Sequence, residues 1–86
     1  MPPPEGFEWD ETKNRINIQK HHVTFLRASK IFEDNVLEWE DTRRDYHETR
    51  IIAIGRAEGR LLRVVYTQRG NNKRIISARK AKPNDR

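Results

Sequence analysis

The sequence predicts an α+β fold, with two N-terminal helices packed on a mainly antiparallel sheet of about four strands. Three observations predict it. Helix-capping residues and helical spacing occupy the chain up to about residue 32, three Ile/Val-rich runs separated by turn residues fill the chain after residue 49, and 86 residues suffice for one hydrophobic core. The organisation expected is a disordered tail over 1–6 and a single domain over 7–86.

Phe7-Glu8-Trp9 alternates apolar and polar residues and suits a short strand. Asp10 is an N-cap candidate for a helix from Glu11 to His21. That helix is weakly amphipathic, because Ile16 and Ile18 are its apolar residues and they do not share a face. Thr24 caps a second helix over Phe25–Phe32, where Phe25, Ala28, Ile31 and Phe32 make an apolar stripe. Val36–Glu40 reads as a strand near an edge, followed by a charged loop over Asp41–His47. Strands are then expected at Thr49–Arg56, Arg60–Gln68 and Arg74–Lys80.

Glu58-Gly59 suits a two-residue hairpin turn, which sets Ala57 opposite Arg60 and Ala53 opposite Val64. One sheet face then gathers Ile51, Ala53, Gly55, Leu62, Val64 and Tyr66, a natural seat for the helices. The other gathers Ile52, Ile54 and Val65 with a fringe of Arg50, Arg56 and Arg63, so some second layer, partner or ligand should cover it. The Gly70-Asn71-Asn72 turn leaves the next register open.

Charge is divided along the chain. Residues 1–48 carry 7 Lys/Arg and 11 Asp/Glu, whereas residues 49–86 carry 11 Lys/Arg and 2 Asp/Glu. The second half is thus suited to a polyanion, and the acidic stretch Glu33–Glu48 would repel one. The N-terminus lacks the pattern of a signal peptide, no apolar run approaches a membrane span, and there is no cysteine, which favours a cytoplasmic protein without disulfides. No metal constellation or phosphate-cradling glycine loop appears, so no cofactor is expected.

The order and spacing of several motifs resemble the BrnT family of toxins. They are Phe7-Glu8-Trp9-Asp10 with Lys13, Asn17 with Lys20-His21, then Val23 and Phe25, Ile54-Gly55-Arg56, Leu61–Thr67 with Arg69-Gly70, and Arg74-Ile75-Ile76-Ser77-Ala78-Arg79 with Ala81. The resemblance implies a RelE-like fold and a ribonuclease that arrests growth. It also implies a BrnA-like antitoxin, whose ribbon-helix-helix domain would bring the complex to operator DNA. Family members usually continue into a helix with Glu, Arg and a later Tyr; here Lys82-Pro83-Asn84-Asp85-Arg86 follows, with Asp85-Arg86 where Glu-Arg is expected.

Metal-independent RNA cleavage uses the 2′-hydroxyl beside the scissile phosphate, so the protein must align it, move protons and stabilise charge on phosphorus. Arginine suits the last task, since its planar fork stays charged and grips two oxygens. Arg50, Arg63 and Arg79 are the candidates, each equally readable alone as a solvated or ion-paired strand residue. His21 is the candidate proton carrier, although at a helix end it can simply cap carbonyls. Lys13, Asn17, Lys20, Arg69, Arg74 and Lys80 are candidate RNA contacts, and Lys13 and Asn17 can equally tie the first helix to the sheet. Trp39 lies among acids, where local packing or partner contact fits better than RNA. Two further readings stay open, a non-catalytic RNA- or ribosome-binding module and an inactive toxin-like protein that only binds its antitoxin.

Overall fold

In the computed structural model, which describes residues 2–43 and 45–85, the sheet is generated by two tight turns. Strands β3 (Ile51–Ala57) and β4 (Arg60–Arg69) are joined at Glu58-Gly59, where both residues have positive φ, +52° and +80°. That geometry matches the right-handed twist of the strands it connects. Ala57 pairs with Arg60 and Ala53 with Val64, the register expected from the turn. Gly70-Asn71 forms the second two-residue turn and leads into β5 (Asn72–Lys80), with Arg69 opposite Asn72. Ile76 is an extra residue in β5, because Val65 pairs with Ser77 and Tyr66 with Ile75.

The sheet holds five strands in the order β1-β5-β4-β3-β2 and is mixed. Strand β2 (Leu37–Glu40) adds antiparallel to β3 at one edge. At the other edge β1 (Phe7–Glu8) runs parallel to β5, with Phe7 opposite Lys73 and Glu8 opposite Arg74. The expectation of about four strands is therefore corrected. Alternation predicts the short Phe7-Glu8 strand but not its membership of the sheet, because its partner lies more than sixty residues away. Pro4 and Gly6 are already engaged, since the Pro4 carbonyl accepts from Phe7 N at 3.1 Å and the Gly6 carbonyl from Lys73 N at 2.8 Å.

Helix α1 (Glu11–His21) is capped by the Asp10 carboxylate, which accepts from Thr12 N and Lys13 N. Its weak amphipathicity has a physical explanation. Ile16 is 48% exposed and the buried residue of the helix is Asn17. The Asn17 amide donates to the carbonyls of Val23 (2.9 Å) and Ala78 (2.8 Å) and accepts from Ala78 N (3.1 Å). The helix docks through one saturated polar side chain rather than an apolar stripe. Helix α2 (Phe25–Ser29) is capped by Thr24 and is shorter than expected, passing into a 3-10 turn over Lys30–Glu33. The Ser29 hydroxyl folds back on the Leu26 carbonyl at 2.6 Å where the backbone tightens.

Val23, Phe25, Ala28 and Ile31 from the helical layer pack on Ala53, Ala57, Leu62, Val64, Tyr66, Ile75 and Ala78 of the sheet. Full burial of a side chain such as Phe25, Ile31 or Leu62 contributes about 1.5–3 kcal/mol. Gly55 lets the 3-10 turn approach β3: a Cβ there would come within 2.8 Å of Val36 Cγ1 and 3.0 Å of Ile31 Cβ.

Candidate functional site

On the sheet face away from the helices, Ile52 and Val65 are only 4% and 5% exposed. The chain itself provides cover over Ile52. The segment after β2 (Asp41–Arg43) and the tail residues Asn84-Asp85 close over it and leave a groove of about 330 Å³. The groove runs between Trp39 of β2, Ile52 of β3, Arg63 of β4 and Arg79 of β5. Cross-strand pairing fixes this set. Trp39 lies opposite Ile52 and Ile52 opposite Val65, while Ile54 lies opposite Arg63 and Arg63 opposite Arg79.

Two carboxylates bind the groove walls to arginines. Asp85 receives Arg79 through both terminal guanidinium nitrogens, at 2.6 and 3.1 Å, and also the backbone N–H of Lys82. The Arg79 guanidinium holds the Asp85 carboxyl down at about 2 despite its burial. Asp41 receives Arg43 in the same forked way, at 2.8 Å twice, and the Tyr46 hydroxyl at 3.0 Å. The Arg43 hydrogen bonds hold Asp41 well below the ordinary carboxylate range.

Arg63 differs from both. The residue is 8% exposed, yet its guanidinium has no hydrogen bond or ion pair among the described residues. Burial first, then the charges of Arg79 and Arg43, push it down from the usual arginine value. A guanidinium remains charged even so. No buried side-chain nitrogen or oxygen lacks a partner among the described residues, so the Arg63 nitrogens keep their opening to the groove. The groove therefore presents a largely buried guanidinium whose hydrogen-bonding nitrogens are unspent, with Asp85 and Asp41 acting on it only at a distance, and an oxyanion is the complementary ligand.

The other sequence-predicted residues are placed variously. Arg50 stands beside the groove rather than in it, 3.3 Å from Glu48 and with its guanidinium 4.0 Å from the centre of the Tyr46 ring. Its carbonyl accepts from Asp41 N at 2.8 Å, which steadies the loop at the groove wall. His21 is exposed at the end of α1 and does not line the groove. Partial burial and then the charges of Lys20 and Arg79 lower its pKa, so it is neutral at physiological pH. Lys13 and Lys20 are exposed on α1, in the helical layer. Asn17, expected as an RNA contact or a tie, is a tie: burial and its three hydrogen bonds leave nothing for a ligand. Arg74 is paired with Glu8 at 2.8 Å, while Arg69 and Lys80 are exposed near strand ends.

Trp39, Asp41, Arg43 and Asp85 complete the groove and were not singled out as ligand contacts from sequence. For Trp39 the signal was present. Alternation along Leu37-Glu38-Trp39-Glu40 sends Glu38 to the helix side, where it accepts from the Tyr66 hydroxyl at 2.7 Å. Its carboxylate thus sits across the sheet from the groove. Among the described residues no three His, Asp or Glu side chains group as metal ligands, and no helix is long and apolar enough to cross a membrane.

Fold and groove together define a small α+β protein with an arginine-lined groove on its open sheet face. The family model of the ribonuclease toxin BrnT, of type II toxin–antitoxin systems, matches residues 9–85, and the chain belongs to that family. No curated protein matches the chain at a significant level. The family's members are ribonuclease toxins, and their type II system implies an antitoxin partner.

Proposed function

We propose that the protein is a metal-independent endoribonuclease of RelE-like type that cleaves mRNA in the cytoplasm, halting translation and growth until its antitoxin neutralises it. The antitoxin in this reading carries a ribbon-helix-helix domain, and the toxin reaches operator DNA only through it. The observation that carries the reading is the guanidinium of Arg63, in a residue only 8% exposed and with no hydrogen bond or ion pair among the described residues, beside Arg79 in the groove.

In the proposed reaction the 2′-hydroxyl of the bound ribose attacks the adjacent phosphorus and gives its proton to water, and the 5′-oxygen of the next nucleotide leaves as a hydroxyl, taking a proton from water, so that a 2′,3′-cyclic phosphate remains. Charge accumulates on the non-bridging oxygens, and Arg63 meets it with no competing carboxylate of its own. Arg79 is held toward the same groove by Asp85 and supplies a second guanidinium. Arg50 acts at one remove, steadying the wall through Tyr46 and Asp41. His21 does not line the groove, and the reading assigns it no step.

The test is incubation of purified, antitoxin-free protein with naked mRNA in EDTA, beside Arg63→Ala and Arg63→Lys. Loss of a desolvated oxyanion contact costs about 10²- to 10³-fold in rate, so Arg63→Ala should fall by that order and Arg63→Lys by less. Wild-type cleavage with an unimpaired, folded Arg63→Ala would overturn the assignment. Absence of wild-type cleavage would overturn cleavage of free mRNA and leave ribosome-dependent action or a non-catalytic binding module.

A further inference from the structure

We propose that Trp39 is the base-stacking platform of the groove, so that the protein holds a single-stranded nucleotide by its base on Trp39 and by its phosphate on Arg63. The inference rests on the reading of the groove as an RNA site and names which part of RNA that site recognises.

Three observations carry it. Trp39 is only partly buried and lines the same groove as Arg63 and Arg79. Among the described residues its indole stacks on no other ring and its N–H donates no hydrogen bond, whereas Trp9 packs edge-on against Phe25 and donates to Glu11. Of the nearby acids, Glu38 is turned to Tyr66 across the sheet and Asp41 is paired with Arg43, which leaves Glu40 as the groove-lining carboxylate with no ion pair among the described residues. A flat apolar face with a free N–H and a desolvated cation thus share one cleft. The ligand complementary to that pair is flat at one end and anionic at the other, as a nucleotide is. Base edges in a duplex are stacked on their neighbours and cannot offer a face, so the arrangement selects single strands.

The experiment measures binding alone, with a mixed-sequence 2′-O-methyl oligoribonucleotide that lacks the nucleophile. Affinities for this strand, for the same strand carrying abasic sites and for its duplex are compared among wild type, Trp39→Ala, Trp39→Phe and Arg63→Ala, each checked for folding by thermal melting. Wild type should bind the base-bearing single strand about tenfold more tightly than the abasic strand. Trp39→Ala should lose that difference and Trp39→Phe should keep most of it. Arg63→Ala should weaken both strands alike. If a folded Trp39→Ala retains the full preference, or alters only antitoxin binding, the stacking proposal is overturned while an Arg63 effect still upholds the groove. If Arg63→Ala binds like wild type, the underlying reading of the groove fails instead.

Discussion

Asn17 shows how a single side chain can replace a hydrophobic face. Its amide closes three hydrogen bonds that join α1, the α1–α2 connection and β5. Removing it leaves the Ala78 N–H and two carbonyls unpaired in a buried setting, and each such loss costs roughly 1–3 kcal/mol. Asn17→Ala should therefore lower stability by about 3 kcal/mol, read as a fall in the urea midpoint with little change in slope. An isosteric Asn17→Leu should do no better, because it fills the volume and leaves the same groups unpaired. Sequence reading reached Asn17 as a residue of interest but left its role open. Helical spacing places it on a face with Lys13, and spacing alone does not say whether that face meets solvent or sheet. Arg63 was legible for the opposite reason, since strand alternation from the Glu58-Gly59 turn fixes its face outright.

At the scale of elements, the β3–β4 hairpin is the best-specified part of the chain. A two-residue turn with alternating flanks determines both register and the division of faces, so the helix-side set and the open-face set both follow from sequence. The edges are less legible. Strand β1 is readable as a strand but its parallel place beside β5 is not, and the 3-10 turn after α2 reads as helix because its apolar residues keep the same spacing. Gly55 couples these elements. An alanine there would press on Val36 and on Ile31, both packed into the core, so neither can move without opening it. Gly55→Ala should cost about 2 kcal/mol by overpacking. Amide exchange should show the loss concentrated at the β3 contact with the 3-10 turn, and unaltered protection there would refute the packing argument.

For the whole molecule, the divided charge of the sequence becomes a spatial arrangement. The basic strands form the sheet, the tail folds back onto it through Asp85 on Arg79 of β5, and Asp41 clips its own loop together through Arg43. Sequence showed the imbalance but not the clips, because the tail closes on β5 through a pair six residues apart and the loop pair is only two apart, spacings that no periodicity marks. Both carboxyls titrate lower in the folded chain than the ordinary value of 3.8. Their contribution is therefore present above about pH 4 and is lost as the pH falls, for Asp85 through about 2. The Asp85 side chain is 7% exposed, and its depression corresponds to roughly 2 kcal/mol at neutral pH. The urea midpoint should drop between pH 4 and 2, a loss separate from the smaller one that His21 causes as the pH falls through the ordinary histidine range. Asp85→Asn should begin lower at pH 7 and drop less over that window, because its contribution is already gone. A midpoint in the variant that falls as steeply as in wild type would show that Asp85 does not hold the tail. In that case Arg79 would meet RNA without first being held by a carboxylate of its own chain.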